Sequence, residues 1–133
     1  MPSYRGLKAW EHARRLAVEC SKAARRLPRV EQPALAAELR QAGYAVVLRI
    51  AAGSTGAEGD RRVALQQAQS ALAEIDTILC IAHDLEYLPS KDFARLEACS
   101  NDTGKTLYGL LRKLETSADR ALAGPNPAND LRN

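Results

Sequence analysis

Apolar residues return every three or four positions along most of this chain. They fall in four runs, divided at Pro28, at a glycine cluster from Gly53 to Gly59, and at Leu88-Pro89-Ser90. That spacing keeps them on one side of a helix of 3.6 residues per turn and is unlike the strict alternation of a strand. Composition points the same way: 24 Ala and 18 Leu stand against 5 Val, 4 Ile, 1 Phe and 1 Trp. Ala and Leu lose little on entering a helix, whereas sheets favour β-branched and aromatic side chains. An all-β domain is excluded and an α/β domain disfavoured. A length of 133 residues suits a single core.

The first run places Leu7, Trp10, Ala13, Ala17, Cys20, Ala24 and Leu27 on a buried seam, with Lys8, His12, Arg15, Glu19, Lys22 and Arg26 almost opposite. Pro28 should end this helix, because the residue before a proline is pushed out of the helical region. The second helix is expected to begin near Pro33 and to bury Leu35, Leu39, Ala42, Val46, Ile50 and Gly53. Tyr44 and Leu48 project from another side, which predicts a second covered face. After the glycine-rich loop, Asp60 is a plausible N-cap for a third helix to about Glu86, with Leu65, Ala68, Leu72, Ile75, Leu79 and Ala82 inward. A fourth starts at Ser90 and carries Phe93, Leu96, Cys99, Thr103, Leu107, Leu110 and Leu114. Helices of ~30 to 40 Å joined by short connections must be sequential antiparallel neighbours. The expectation is an all-α, antiparallel up-down-up-down four-helix bundle over residues 1–117. Residues 118–133, containing Gly124-Pro125-Asn126-Pro127, are expected to form a disordered C-terminal tail.

Side chains suited to chemistry are scarce. Gly104-Lys105-Thr106 matches the end of a phosphate-binding loop, but Cys99 stands where that motif needs its first glycine, and the triplet lies inside a helical run. His12 and His83 lack partners at metal-ligand spacing. Glu74, Asp76, Asp84 and Glu86 are better explained as a solvated face than as a catalytic pair. No catalytic residue, metal site or cofactor is expected. Cys20, Cys80 and Cys99 are odd in number and far apart, which argues against a disulfide framework. With no apolar leader and no run of about 20 apolar residues, a cytoplasmic protein that makes no membrane contact is expected.

Charge supplies the one positive signal. Residues 1–30 hold Arg5, Lys8, Arg14, Arg15, Lys22, Arg25, Arg26 and Arg29 against Glu11 and Glu19, a local +6 in a chain of net +3. Such a face is more often solvated than functional, but it is also able to follow a phosphate backbone. Base-stacking aromatics are not interleaved with it, since Trp10 is assigned to the seam.

The order of residues resembles the S23, or 23S rRNA-intervening-sequence, family of four-helix bundle proteins. Leu7-Lys8-Ala9-Trp10-Glu11-His12-Ala13 is similar to that family's Leu-x-x-Trp-x-x-Ala opening. Leu27-Pro28 with Glu31 resembles its first connection. Glu38-Leu39-Arg40-Gln41-Ala42 and Arg49-Ile50-Ala51-Ala52-Gly53 stand where the family has a run ending Asn-Ile-Ala-Glu-Gly. Ala68-Gln69-Ser70-Ala71-Leu72-Ala73-Glu74-Ile75 and Leu85-Glu86-Tyr87-Leu88 resemble two further stretches. The chain departs from the pattern at Arg49 and Ala52, which replace the usual Asn and Glu, and at Glu38 and Gln41. The resemblance implies a cytoplasmic bundle that assembles into a ring-like homo-pentamer. Some relatives are encoded within intervening sequences of ribosomal RNA genes. Others resemble accessory proteins of diversity-generating retroelements, which bind a reverse transcriptase and nucleic acid through basic surfaces.

The expected function is a non-enzymatic, oligomeric accessory protein associated with RNA or DNA. Lys8, Arg15, Lys22 and Arg26 would contact phosphates, with Arg40 a weaker candidate, and Tyr44 and Leu48 would lie at the subunit interface. The alternative is a structural or protein-interaction scaffold that binds no nucleic acid.

Overall fold

Each of the four apolar runs forms a helix. In a computed structural model describing residues 3–123, with side chains as far as Thr116, α1 spans Lys8–Arg25, α2 Leu35–Ala52, α3 Glu58–Asp84 and α4 Ser90–Ala123. Short 3-10 turns occupy Ser3–Gly6 and Arg29–Glu31, and no strand is present among the described residues. Each helix packs on the next, and α4 packs back on α1, so the four surround one core. Leu16, Leu39, Val46, Ile50, Leu65, Ile75, Leu79, Leu96 and Leu107 are fully enclosed there. Burying one such side chain stabilises the fold by about 1.5–3 kcal/mol.

Several contacts set the register. Ser21 on α1 meets Tyr44 on α2, their hydroxyls 3.1 Å apart. The Ser100 hydroxyl on α4 donates to Asp76 Oδ1 on α3 at 2.7 Å, and Gly104, a turn later, faces Leu72, a turn earlier. Between α1 and α4, Arg26 lies beside Asp92 and Glu19 beside Arg95.

Separation varies around the ring. A Cβ on Gly43 of α2 would lie 3.1 Å from Cys20 Cβ and 3.4 Å from Ala17 Cα, so α1 and α2 pack almost backbone to backbone. Between α3 and α4, a Cβ on Gly104 would meet nothing nearer than Leu72 Cδ1 at 3.9 Å. A groove of ≈ 530 Å³ opens there past Ala73, Gly104 and Tyr108.

The connections are held by specific polar contacts. Gln32 Nε2 donates to the Ala24 and Leu27 carbonyls, both at 2.9 Å, fastening the connection to the end of α1. The Tyr87 hydroxyl donates to Glu31 Oε2 at 3.1 Å, joining the α3–α4 connection to the α1–α2 connection. Glu86, with φ of 63°, takes the left-handed position that stops α3.

Three boundaries differ from expectation. α3 starts at Glu58 behind Ala57, so Asp60 is not the N-cap but lies in the first turn, where its charge suits the helix dipole. α2 starts at Leu35 rather than at Pro33. α4 runs through the expected boundary at residue 117 to Ala123, and the remainder of the expected tail, 124–133, lies outside the described residues.

Candidate nucleic-acid interface

The buried side of α1 consists of Ala9, Ala13, Leu16, Ala17, Cys20, Ala23 and Ala24. It is rotated from the expected seam towards Leu16 and Ala23. Two consequences follow for the basic face. The most outward positions become Arg14, Val18, Lys22 and Arg25, all exposed, while Glu19 and Arg26 turn to the edge that borders α4. Trp10 packs against the core from its margin and is only half-buried, so it lies at the edge of the seam rather than within it. The Arg14 guanidinium lies over its ring, 5.2 Å from the centroid, and Tyr4 packs against it with ring centroids 5.7 Å apart. Trp10, Arg5, Glu11, Arg14, Arg15 and Val18 line an open groove of ≈ 1000 Å³. An aromatic ring does therefore accompany the cations, though one turn of helix at a time rather than interleaved.

The expected phosphate contacts divide into three groups. Lys8 and Arg15 are exposed and make no ion pair within 4.0 Å among the described residues, and the same holds for Arg25 and Arg29. Lys22 and Arg26 are exposed but charge-paired: Lys22 Nζ lies 3.7 Å from Glu19 Oε2, and Arg26 Nη1 lies 3.7 Å from Asp92 Oδ2. Arg95 completes a five-membered chain along the α1–α4 border, bonding Glu19 and approaching Asp92 at 3.6 Å. Arg40 is half-buried and donates to Gln32, Nη1 to Oε1 at 3.4 Å and Nη2 to the carbonyl at 3.3 Å. Its guanidinium braces the α1–α2 connection and stands apart from the α1 face.

Tyr44 and Leu48 lie one turn apart on α2 and are 45% and 62% exposed. With Val18 of α1, 48% exposed, they make the side next to the basic face markedly apolar. Large apolar side chains on a surface mark a contact site when they cluster.

The remaining polar groups serve the fold. Thr103-Gly104-Lys105-Thr106 lies within α4, and the Thr103 hydroxyl donates to the Cys99 carbonyl at 2.9 Å, so no phosphate-cradling loop exists there. His83 is half-buried rather than a free surface residue; its ring stacks on Phe93 at 4.6 Å and bonds Ser90 Oγ at 3.1 Å. His12 is half-buried on α1. All three cysteines are thiols. Burial is the main cause that pushes the Cys20 thiol up to about 12, and burial also raises Cys99 despite the neighbouring Arg15. Neither is thereby primed as a nucleophile, which requires a lowered pKa. Among the described residues, no three His, Cys, Asp or Glu side chains gather as a metal site, and no helix is long and apolar enough to cross a membrane.

Four packed helices with a basic, aromatic-bearing face on the first define an all-α helical protein whose concentrated feature is a surface. The chain belongs to the 23S rRNA-intervening sequence protein family, whose model matches residues 5–109, from the turn before α1 to the middle of α4. Comparison with curated proteins finds no match.

Proposed function

We propose that this protein is a non-enzymatic, cytoplasmic accessory factor that assembles as a homo-oligomer and binds RNA along the outward face of α1. The single observation that carries the reading is the row of Lys8, Arg14, Arg15 and Arg25, without carboxylate partners among the described residues, running beside the half-buried Trp10. Cations along a face follow a phosphate backbone, and an aromatic ring beside them offers a stacking platform for a base. Membership of a family described by a ribosomal RNA intervening sequence is compatible with such a partner. The protein is taken to be an up-down-up-down antiparallel bundle, because successive positions along α4 meet receding positions along α3, Ser100 against Asp76 and then Gly104 against Leu72, and Arg26 at the end of α1 meets Asp92 at the start of α4. In that arrangement the α1–α2 side is one continuous surface.

Retention of the full chain on single-stranded RNA over a salt series tests the reading. About four phosphate contacts give a slope of about −3 in log affinity against log salt. Replacing Arg15→Glu and Arg25→Glu together should abolish retention at low salt, and equal retention of variant and parent would sink the proposal. A second reading, a protein-interaction scaffold, is favoured by the exposed Val18, Tyr44 and Leu48. Absence of RNA binding at ~50 mM salt, where phosphate contacts are strongest, would select it.

A further inference from the structure

At the end of the bundle where α1 and α3 begin, a pocket of ≈ 300 Å³ opens between all four helices. Its walls are apolar, formed by Leu7, Leu65, Leu110 and Leu114. Two cations, Arg61 of α3 and Lys113 of α4, reach into the lining, and no carboxylate does. Gly53 forms part of the floor, where a Cβ would lie 2.5 Å from Leu65 Cδ2; here the glycine serves room rather than a special φ.

Arg61 carries the argument further. Its Nε is buried and has no hydrogen-bond partner, and no ion pair engages its guanidinium among the described residues. The last carbonyls of α2 find partners within the chain. The α2 carbonyls of Arg49, Ala51 and Ala52 receive the N–H groups of Gly53, Ser54 and Thr55, and that of Ile50 receives the Ser54 hydroxyl at 2.9 Å. A buried donor without an acceptor is unusual in a folded chain, and one that belongs to a cation beside a cavity calls for an anion. The volume is at the lower limit of small-molecule sites, and the mix of apolar wall and few convergent charges is their usual chemistry.

The geometry points to a binding site for a small amphiphilic carboxylate, its head group held by Arg61 and Lys113 and its hydrocarbon part against the four leucines. The planar guanidinium suits a carboxylate held by two parallel bonds, and Lys113 adds a second, more exposed charge. The leucine walls favour this ligand over an inorganic anion, which would leave them wet. This site is built from α3, α4, the residue before α1 and the residues after α2, and does not depend on RNA binding by the outward face of α1.

Titration calorimetry of the full chain with octanoate, octan-1-ol and inorganic phosphate tests it. Saturable binding of one octanoate per chain is expected, with at least tenfold weaker binding of the alcohol. Arg61→Gln should weaken octanoate binding by tenfold or more, and Lys113→Gln, an exposed change that leaves packing intact, should weaken it by a smaller factor. Arg112→Gln on the same helix, outside the lining, should bind as the parent does. Far-UV circular dichroism confirms that each variant is folded. No saturable octanoate binding overturns the proposal, as do saturable phosphate binding without octanoate binding, and parental affinity in both the Arg61 and Lys113 variants.

Discussion

Tyr87 shows how one hydroxyl can tie a fold to pH. It donates to Glu31, and this bond, followed by partial desolvation and the carboxylate's charge, raises the phenol above its ordinary 10. The folded chain therefore holds this proton more tightly than the unfolded chain does. The sign of the linkage follows: the contribution is fully present below pH 10 and is lost as pH rises through the higher folded value. Tyr87→Phe should be less stable than the parent at pH 7, and the gap should close in the alkaline range. Urea unfolding of both proteins between pH 7 and 11 checks this, with parallel pH curves counting against it.

At the scale of the element, the α1–α4 border is an electrostatic seam set beside the basic face. Arg26, Arg95 and Lys22 are each about half exposed, so their pairs with Asp92 and Glu19 contribute about 0–1 kcal/mol. The same carboxylates neutralise cations that would otherwise face a phosphate backbone. Asp92→Asn should therefore cost under about 1 kcal/mol of stability while strengthening RNA retention at low salt by freeing Arg26. Denaturant midpoints and retention assays on one protein preparation measure both effects, and unchanged or weaker retention would contradict the arrangement. The seam explains what was legible in the residues and what was not. Helix number, the stop before Pro28, the start at Ser90 and the exposure of Tyr44 and Leu48 follow from spacing and from breakers. The phase of α1 does not, because small residues such as Ala9, Ala17, Ala23 and Ala24 blur the boundary of an apolar stripe. A rotation of a fraction of a turn puts Trp10 at the margin of the core and Glu19 and Arg26 at the α4 border. The pairing of Arg26 is likewise hidden, since Asp92 lies far along the chain and meets it only through packing register, whereas Lys22 and Glu19 are three residues apart on α1. Arg61 gave no signal at all; its orphan Nε exists only once four helix ends converge.

For the whole molecule, the proposed assembly rests on the apolar side chains exposed beside the basic face. Tyr44 and Leu48 are exposed on a helix whose opposite side is already buried, and association with further copies of the chain would cover such a face. Light scattering at micromolar concentration should give a mass above that of one chain, and Leu48→Glu should reduce it to one chain without loss of helicity. A parent of single-chain mass would remove the oligomer from the proposal. Whatever binds, the molecule will not yield evenly. With Gly43 set against Ala17 and Cys20, α1 and α2 share a joint that has no slack, whereas α3 and α4 stand across an open groove. The α1–α2 pair is thus a stiff plate, and α4 is the hinged side of the box. A load applied to the basic face would pass through the plate, and any give would be taken up by α4, anchored through Leu96 and Leu107 in the core.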